Sequence, residues 1–184
     1  MPFARKSVRV FLDEAALHEY AVKALGRRMR TEAELRRLMK TRVEPDGPGD
    51  AIIEAVVLRL KEYGYLNDAS YAETYARLRH ENEKFGERRV RQDLQQKGVH
   101  SDLIAETLEA RYGQSDESAL ARAYLERKRL RKPENDKEAA RIMRRMVGAG
   151  FTTTTIRKVL REWEVPDETL AVLDNLDEEG LEGE

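Results

Sequence analysis

LRLKEYGYLNDASYAETY, residues 58–75, closes one helical segment and opens the next. Val56, Val57, Leu60 and Tyr63 recur at the three- and four-residue steps that place side chains on one face of a helix, and Gly64 stands where a left-handed C-terminal cap would end it. Tyr65 and Leu66 are expected to form an apolar plug behind that stop. Asn67 or Asp68 can accept the orphan amide hydrogens of a new first turn, and Tyr71, Tyr75 and Leu78 resume the helical stripe. The stretch therefore reads as a joint between two packed helices.

N-terminal to the joint, Lys6 to Leu12 alternates, with Val8, Val10 and Leu12 on one side, as in a strand. A single strand cannot satisfy its own ladder, so residues 1–12 read as an extended arm. From Asp13 the spacing turns helical: Leu17, Tyr20, Ala21, Ala24 and Leu25 share a face, and Gly26 is expected to stop the helix. Thr31 and Glu34 form a capping-box pattern ahead of Leu35, Leu38 and Met39. EPDGPGD, residues 44–50, is turn chemistry, and Ile52 to Tyr63 supplies a third helix.

The chain repeats itself. A gapless shift of 52 residues superimposes Arg89 on Arg141, Val90 on Ile142, Leu94 on Met146, Gly98 on Gly150, Val99 on Phe151, Ser101 on Thr153, Ile104 on Ile156 and Leu108 on Leu160. Each copy is an amphipathic helix, a glycine stop, an apolar residue, a Ser or Thr cap and a second helix, which is a helix-turn-helix pair. An earlier copy fits more loosely. Leu38 and Val43 match Leu94 and Val99 at a shift of 56, Ile52 and Val56 match Ile104 and Leu108 at 52, and Arg42 takes the glycine's place. Each pair is preceded by one more helix (Leu17 to Leu25, Tyr71 to Phe85, Ala119 to Leu130). The expected fold is all-α: three tandem three-helix units over 13–66, 67–113 and 114–163, in an elongated, curved arrangement, then an acidic tail over 164–184.

Charge divides the chain. From Glu162 onward ten residues are acidic and none is Lys or Arg, so residues 1–161 hold all 34 basic residues against 25 of the 35 acidic ones. The body is basic and suits an anionic partner; the acidic tail could compete for the same face. Without cysteine there is no disulfide, thiolate metal site or cysteine nucleophile. No apolar run approaches membrane-spanning length and MPFARKSVRV has no apolar signal core, so a cytoplasmic protein is expected. His18, His80 and His100 lie far apart, no His–Glu pair has metal spacing, and there is no phosphate-cradling glycine loop or nucleophile motif. Neither catalytic residues nor a metal or other cofactor are expected.

The joint GYLND followed by SYA, the helix stops KGV and AGF, and three tandem three-helix units resemble the RecX regulatory proteins, modulators of the RecA recombinase. The resemblance covers about residues 10–163 and is sharpest over Tyr63 to Ala72. It departs at Arg42, at EPDGPGD, and at the lone strand where some relatives have a hairpin. It implies a non-enzymatic regulator, acting as a monomer in DNA repair and recombination. Such a protein lies in the groove of the RecA filament on single-stranded DNA and suppresses ATP hydrolysis and strand exchange.

Tandem small units offer a long surface and little concave volume, which favours binding over catalysis. Basic residues recur on the solvent faces of the three units: Arg36, Arg37 and Lys40; Arg88, Arg89 and Arg91; Arg141, Arg144 and Arg145. Another cluster, Arg127, Lys128 and Arg129 with Arg131 and Lys132, ends the third unit's first helix, where cations also complement the helix dipole. These are the candidate partner- or nucleic-acid-binding residues. Guanidinium groups serve phosphates and carboxylates alike, so a general DNA-binding protein of tandem helix-turn-helix units is the alternative. Tyr65, Tyr71, Tyr75, Tyr112, Tyr124, Phe151 and Trp163 are expected in the core rather than stacked on bases, with Trp163 sealing the third unit.

Overall fold

A computed structural model describes residues 11–45 and 47–171. Its regular structure is helical throughout: α1 (Glu14–Arg27), α2 (Glu32–Lys40), α3 (Gly49–Glu62), α4 (Asp68–Leu78), α5 (Glu87–Gln96), α6 (Ser101–Tyr112), α7 (Glu117–Arg127), α8 (Asp136–Gly148), α9 (Thr153–Arg161) and α10 (Asp167–Leu170). They form three tandem three-helix bundles, α1–α3, α4–α6 and α7–α9, with α10 against α8. The alternating stretch from Lys6 lies outside the described residues except for Leu12, whose amide donates to the Arg42 carbonyl at 2.8 Å. Backbone contacts divide the chain into two compact units, residues 1–71 with 97–99 and residues 72–96 with 100–184.

In the first bundle Leu17, Ala21, Leu35, Met39, Ile53, Val56, Val57 and Leu60 are closed to solvent. Each fully buried aliphatic side chain contributes about 1.5–3 kcal/mol of apolar burial. The expected capping box forms: Glu34 N donates to Thr31 Oγ1 at 3.1 Å, and Thr31 N donates back to Glu34. Two expectations shift here. Gly26 does not stop α1, which runs on to Arg27: its backbone is not in the left-handed region, and the chain leaves the helix through an extended Arg28 instead. Met39, with Leu35, takes the core position expected of Leu38, so α2 lies one residue out of the assumed repeat register.

The joint at Gly64 adopts φ +71°, with Gly64 N bonded to Lys61 O at 3.0 Å and Tyr65 N to Leu60 O at 2.9 Å, the paired bonds of a Schellman cap. Leu66 plugs the core at 4% exposure, whereas Tyr65 turns out to solvent at 60%. Asn67 is the cap of α4, accepting from Ser70 N at 3.0 Å; Asp68 instead accepts from Glu32 N at 2.8 Å and so tethers α2. Leu78 is 43% exposed, against expectation. Ala72 and Ala76 hold the core face of α4, and two residues beyond Ala76 is about 200° around the helix. A π-type turn, Arg79–Glu83, then carries the chain to Lys84 in the left-handed region.

The second and third bundles confirm the 52-residue repeat in their cores, Val90, Leu94, Ile104 and Leu108 corresponding to Ile142, Met146, Ile156 and Leu160, all buried. Their stops, Gly98 and Gly150, have φ +77° and +88°. The caps sit one residue earlier than the pattern suggests. His100 Nδ1 accepts from Asp102 N and Thr152 Oγ1 from Thr155 N, while Ser101 and Thr153 are the first helical residues. Tyr71, Tyr112, Tyr124 and Phe151 are buried as expected, and half-buried Tyr75 donates its hydroxyl to Asp93 at 2.8 Å. Trp163 does not seal the third bundle. It is partly exposed beside Pro133, Asn135 and Pro166, and Val165 and Leu170 close the core instead.

Candidate partner-binding interface

The third bundle displays its charge on α8. At about 100° per residue, Lys137, Arg141, Arg144, Arg145 and Gly148 fall within roughly 100° of arc, while Ala139, Ile142, Met143 and Met146 fill a similar arc on the opposite side. The second set is buried and the first exposed. Asn135 caps the helix by accepting from Glu138 N at 3.0 Å; of the two carboxylates in the first turn, Glu138 accepts from Glu134 N and Asp136 from the Thr169 hydroxyl. None of Lys137, Arg141, Arg144 and Arg145 has an ion pair among the described residues.

Such an array opposes folding slightly. Like charges at i,i+4 cost an isolated helix about 0.2–0.5 kcal/mol each, which the helix dipole offsets in part near the C-terminus. The repeat does not require it, because the 52-residue shift places Gln92 and Asp93 under Arg144 and Arg145. Uncompensated cations on a rigid helix can donate to phosphate or carboxylate oxygens without first breaking an internal pair. Lys137 is not among the candidates that the sequence pattern singles out; its signal is the four-residue step back from Arg141.

The other candidate cations are placed differently. Arg36 is held between Glu54, at 2.9 and 2.6 Å, and Glu32. The hydrogen bond from Arg36 holds the Glu54 carboxyl below its ordinary range, and that to Glu54 raises the guanidinium further above its own. Lys40 faces Asp50 at 3.7 Å, and Arg37 is exposed. On α5, Arg89 pairs with Asp93 at 3.0 Å and Arg91 with Glu87 at 2.5 Å; Arg88 borders a hollow of about 380 Å³ shared with Arg91, Tyr112 and Glu117. Arg127 and Lys128 both reach Glu83, at 3.4 and 3.2 Å, and the Lys128 hydrogen bond lowers the Glu83 pKa. Arg129, exposed at φ +53°, has no ion pair among the described residues. The structure thus brings Arg141, Arg144 and Arg145 together as open cations and places most of the remainder in internal pairs. Among the described residues no three His, Asp or Glu side chains are placed to hold a metal ion, and no helix is long and apolar enough to cross a membrane.

Comparison with known proteins places this geometry in a family. Residues 67–108 match a family model described as RecX, second three-helix domain. The regulatory protein RecX of Leptothrix cholodnii is 33% identical over 148 residues, covering 80% of this chain and 89% of that protein. That of Chromobacterium violaceum is 32% identical over 145 residues, covering 79% and 89%. The Deinococcus radiodurans relative is 45% identical over 96 residues, a match spanning 52% of this chain and less than half, 43%, of that longer protein. Among solved structures, RecX from Lactobacillus salivarius superimposes with a TM-score of 0.62 at 19% identity, over 83% of this chain and 97% of that one. Another regulatory protein RecX gives 0.60 at 21%, over 79% and 72%. At those identities the structures speak for the fold, and the two near-full-length sequence relatives carry the assignment. The chain belongs to the RecX family of regulatory proteins.

Proposed function

We propose that this protein is a non-enzymatic regulator of the RecA recombinase that binds the groove of the RecA filament on single-stranded DNA and suppresses ATP hydrolysis and strand exchange. The observation that carries the reading is the stripe of Lys137, Arg141, Arg144 and Arg145 on α8, exposed and without internal ion pairs among the described residues. A groove with acidic protein walls and DNA within presents the oxygen acceptors such a stripe needs. Family membership supports the regulatory role and the absence of a catalytic one.

RecA ATP hydrolysis on single-stranded DNA, measured with substoichiometric amounts of this protein, tests the reading. A filament regulator inhibits at low ratio to RecA, whereas a general DNA-binding protein inhibits after enough has been added to cover the strand. The variant Arg141→Glu/Arg144→Glu/Arg145→Glu is expected to lose inhibition while keeping its helical circular dichroism and thermal midpoint. Full inhibition by that variant would move the interface elsewhere.

A further inference from the structure

Tyr63 and Tyr65 flank the glycine stop of α3, and both are mainly in solvent, at 65% and 60% exposure. Their rings meet edge to face with centroids 6.4 Å apart. The fold does not need Tyr65 there. Phe151 follows Gly150 and Val165 follows Glu164 in turns of the same construction, with bonds back to Met146 O and Leu160 O, and they are 1% and 8% exposed. In those turns the residue after the left-handed position covers the core; in this one Leu66 does so and Tyr65 is released.

The two rings form one wall of an open groove of about 580 Å³, completed by His18, Glu19, Val22 and Lys23 of α1. His18 Nε2 is buried without a hydrogen-bond partner among the described residues. Glu19, the groove's carboxylate, is taken by Lys23 at 3.4 Å. One helical step beyond Lys23 on the same row stands Arg27, exposed and without an ion pair among the described residues. On the far side of Tyr65 a second hollow is bordered by Met29, Arg30 and Asn67. The groove thus has an aromatic wall, and a basic rim runs on from Lys23, which lines it and pairs with Glu19, to Arg27 one turn further along α1 and to Arg30 at the adjoining hollow, whose Nε donates to the Ala24 carbonyl at 3.4 Å.

We propose that the Tyr63–Tyr65 groove is a stacking site for bases of single-stranded nucleic acid, with the sugar-phosphate backbone running along the Lys23–Arg27–Arg30 rim. Every base has a π-face, so two exposed rings bind without sequence readout, and the rim's positive charge is complementary to phosphate. The site lies in the first compact unit and α8 in the second, so the groove does not depend on the reading of α8.

The test is fluorescence anisotropy of the full-length protein with a labelled oligothymidylate and with an abasic strand of equal length, which has the same phosphates and no bases. The wild type is expected to bind the thymidylate strand about tenfold more tightly than the abasic one. Tyr63→Ala/Tyr65→Ala is expected to lose that margin with abasic binding unchanged, and Tyr63→Phe/Tyr65→Phe to keep it. Equal wild-type affinity for the two strands overturns the proposal, as does an alanine variant that keeps the margin or weakens both strands equally. Alanine variants that bind both strands as the wild type does but no longer inhibit RecA would assign the groove to a protein partner. Failure here leaves the α8 reading standing, because charge reversal on α8 acts on both strands alike and is scored by ATP hydrolysis.

Discussion

Gly150 and Arg89 approach so closely that a Cβ built on Gly150 would lie 2.3 Å from the Arg89 amide nitrogen. The same contact brings Gly86 N to the Ala149 carbonyl at 2.8 Å. The first compact unit repeats the arrangement: a Cβ on Gly98 would meet the Ala33 Cβ at 2.4 Å, and Thr31 Oγ1 donates to the Lys97 carbonyl at 2.6 Å. Gly98 and Gly150 thus do two things, turning the chain and letting a helix N-terminus lie against the turn.

Gly150→Ala is therefore expected to combine left-handed strain, about 1–2 kcal/mol, with overlap worth about 1–3 kcal/mol more. Gly64 has the same backbone hand, but nothing lies within 4 Å of the place its methyl would take, so Gly64→Ala is expected to cost the strain alone. Urea denaturation followed by circular dichroism compares them; equal midpoints for the two variants would contradict the packing role of Gly150.

Glu117 fastens α7 to the start of α9. Its Oε1 accepts from Thr152 N at 2.9 Å and its Oε2 from the hydroxyls of Thr152 and Thr155 at 2.7 and 2.5 Å. Glu117→Ala leaves these donors without their acceptor and is expected to destabilise by about 2–3 kcal/mol, with Glu117→Gln intermediate because one carbonyl oxygen remains. Thermal unfolding of the two variants orders them, and an unperturbed alanine variant would contradict the assignment.

Arg36 and Arg141 should separate stability from binding. Arg36→Gln removes contacts to two carboxylates and is expected to cost about 1–2 kcal/mol with RecA inhibition intact in the folded protein. Arg141→Gln removes no ion pair among the described residues and relieves like-charge repulsion, so stability should stay within about 0.5 kcal/mol while inhibition weakens. Denaturation and ATPase titration on the same preparations check both halves.

His80 predicts a pH dependence. It packs edge-on against the Tyr112 ring with centroids 5.0 Å apart, and its Nδ1 is buried without a partner among the described residues. Burial first, then the positive charges of Arg111 and Lys84, lower its pKa, with Glu81 opposing. The folded protein therefore disfavours the imidazolium. As pH falls below the ordinary histidine value of about 6.5, the unfolded chain takes up the proton before the folded one, and stability declines until the lowered pKa is reached. His80→Phe keeps an aromatic edge against Tyr112 and should remove that part of the decline. Urea midpoints at about pH 7.5 and about pH 5.5 measure it, and identical differences for wild type and variant would rule it out.

The repeat, the helix stops and the capping box were legible in the sequence because each rests on local chemistry. Only glycine takes φ near +80° without strain, Thr31 and Glu34 are three residues apart, and apolar spacing marks a helix's inner face. The candidate cations were only partly legible. Arg89 with Asp93 and Arg91 with Glu87 are four-residue pairs that spacing along α5 records, but nothing local separated Arg36 and Arg127, which meet Glu54 and Glu83 at 18 and 44 residues' distance, from Arg141, which has no ion pair among the described residues.

By itself, then, the chain determined where helices begin, end and repeat, since those choices are made among residues a turn or two apart. Tertiary structure decided the rest. It turned Tyr65 outward because Leu66 had already filled the core, left Trp163 at the edge because Val165 and Leu170 covered the third bundle, and made α8 an open rail of charge by bringing no carboxylate among the described residues into an ion pair with Lys137, Arg141, Arg144 or Arg145. These outcomes depend on which distant side chains share the available space and charge, and spacing along one segment carries no record of that competition.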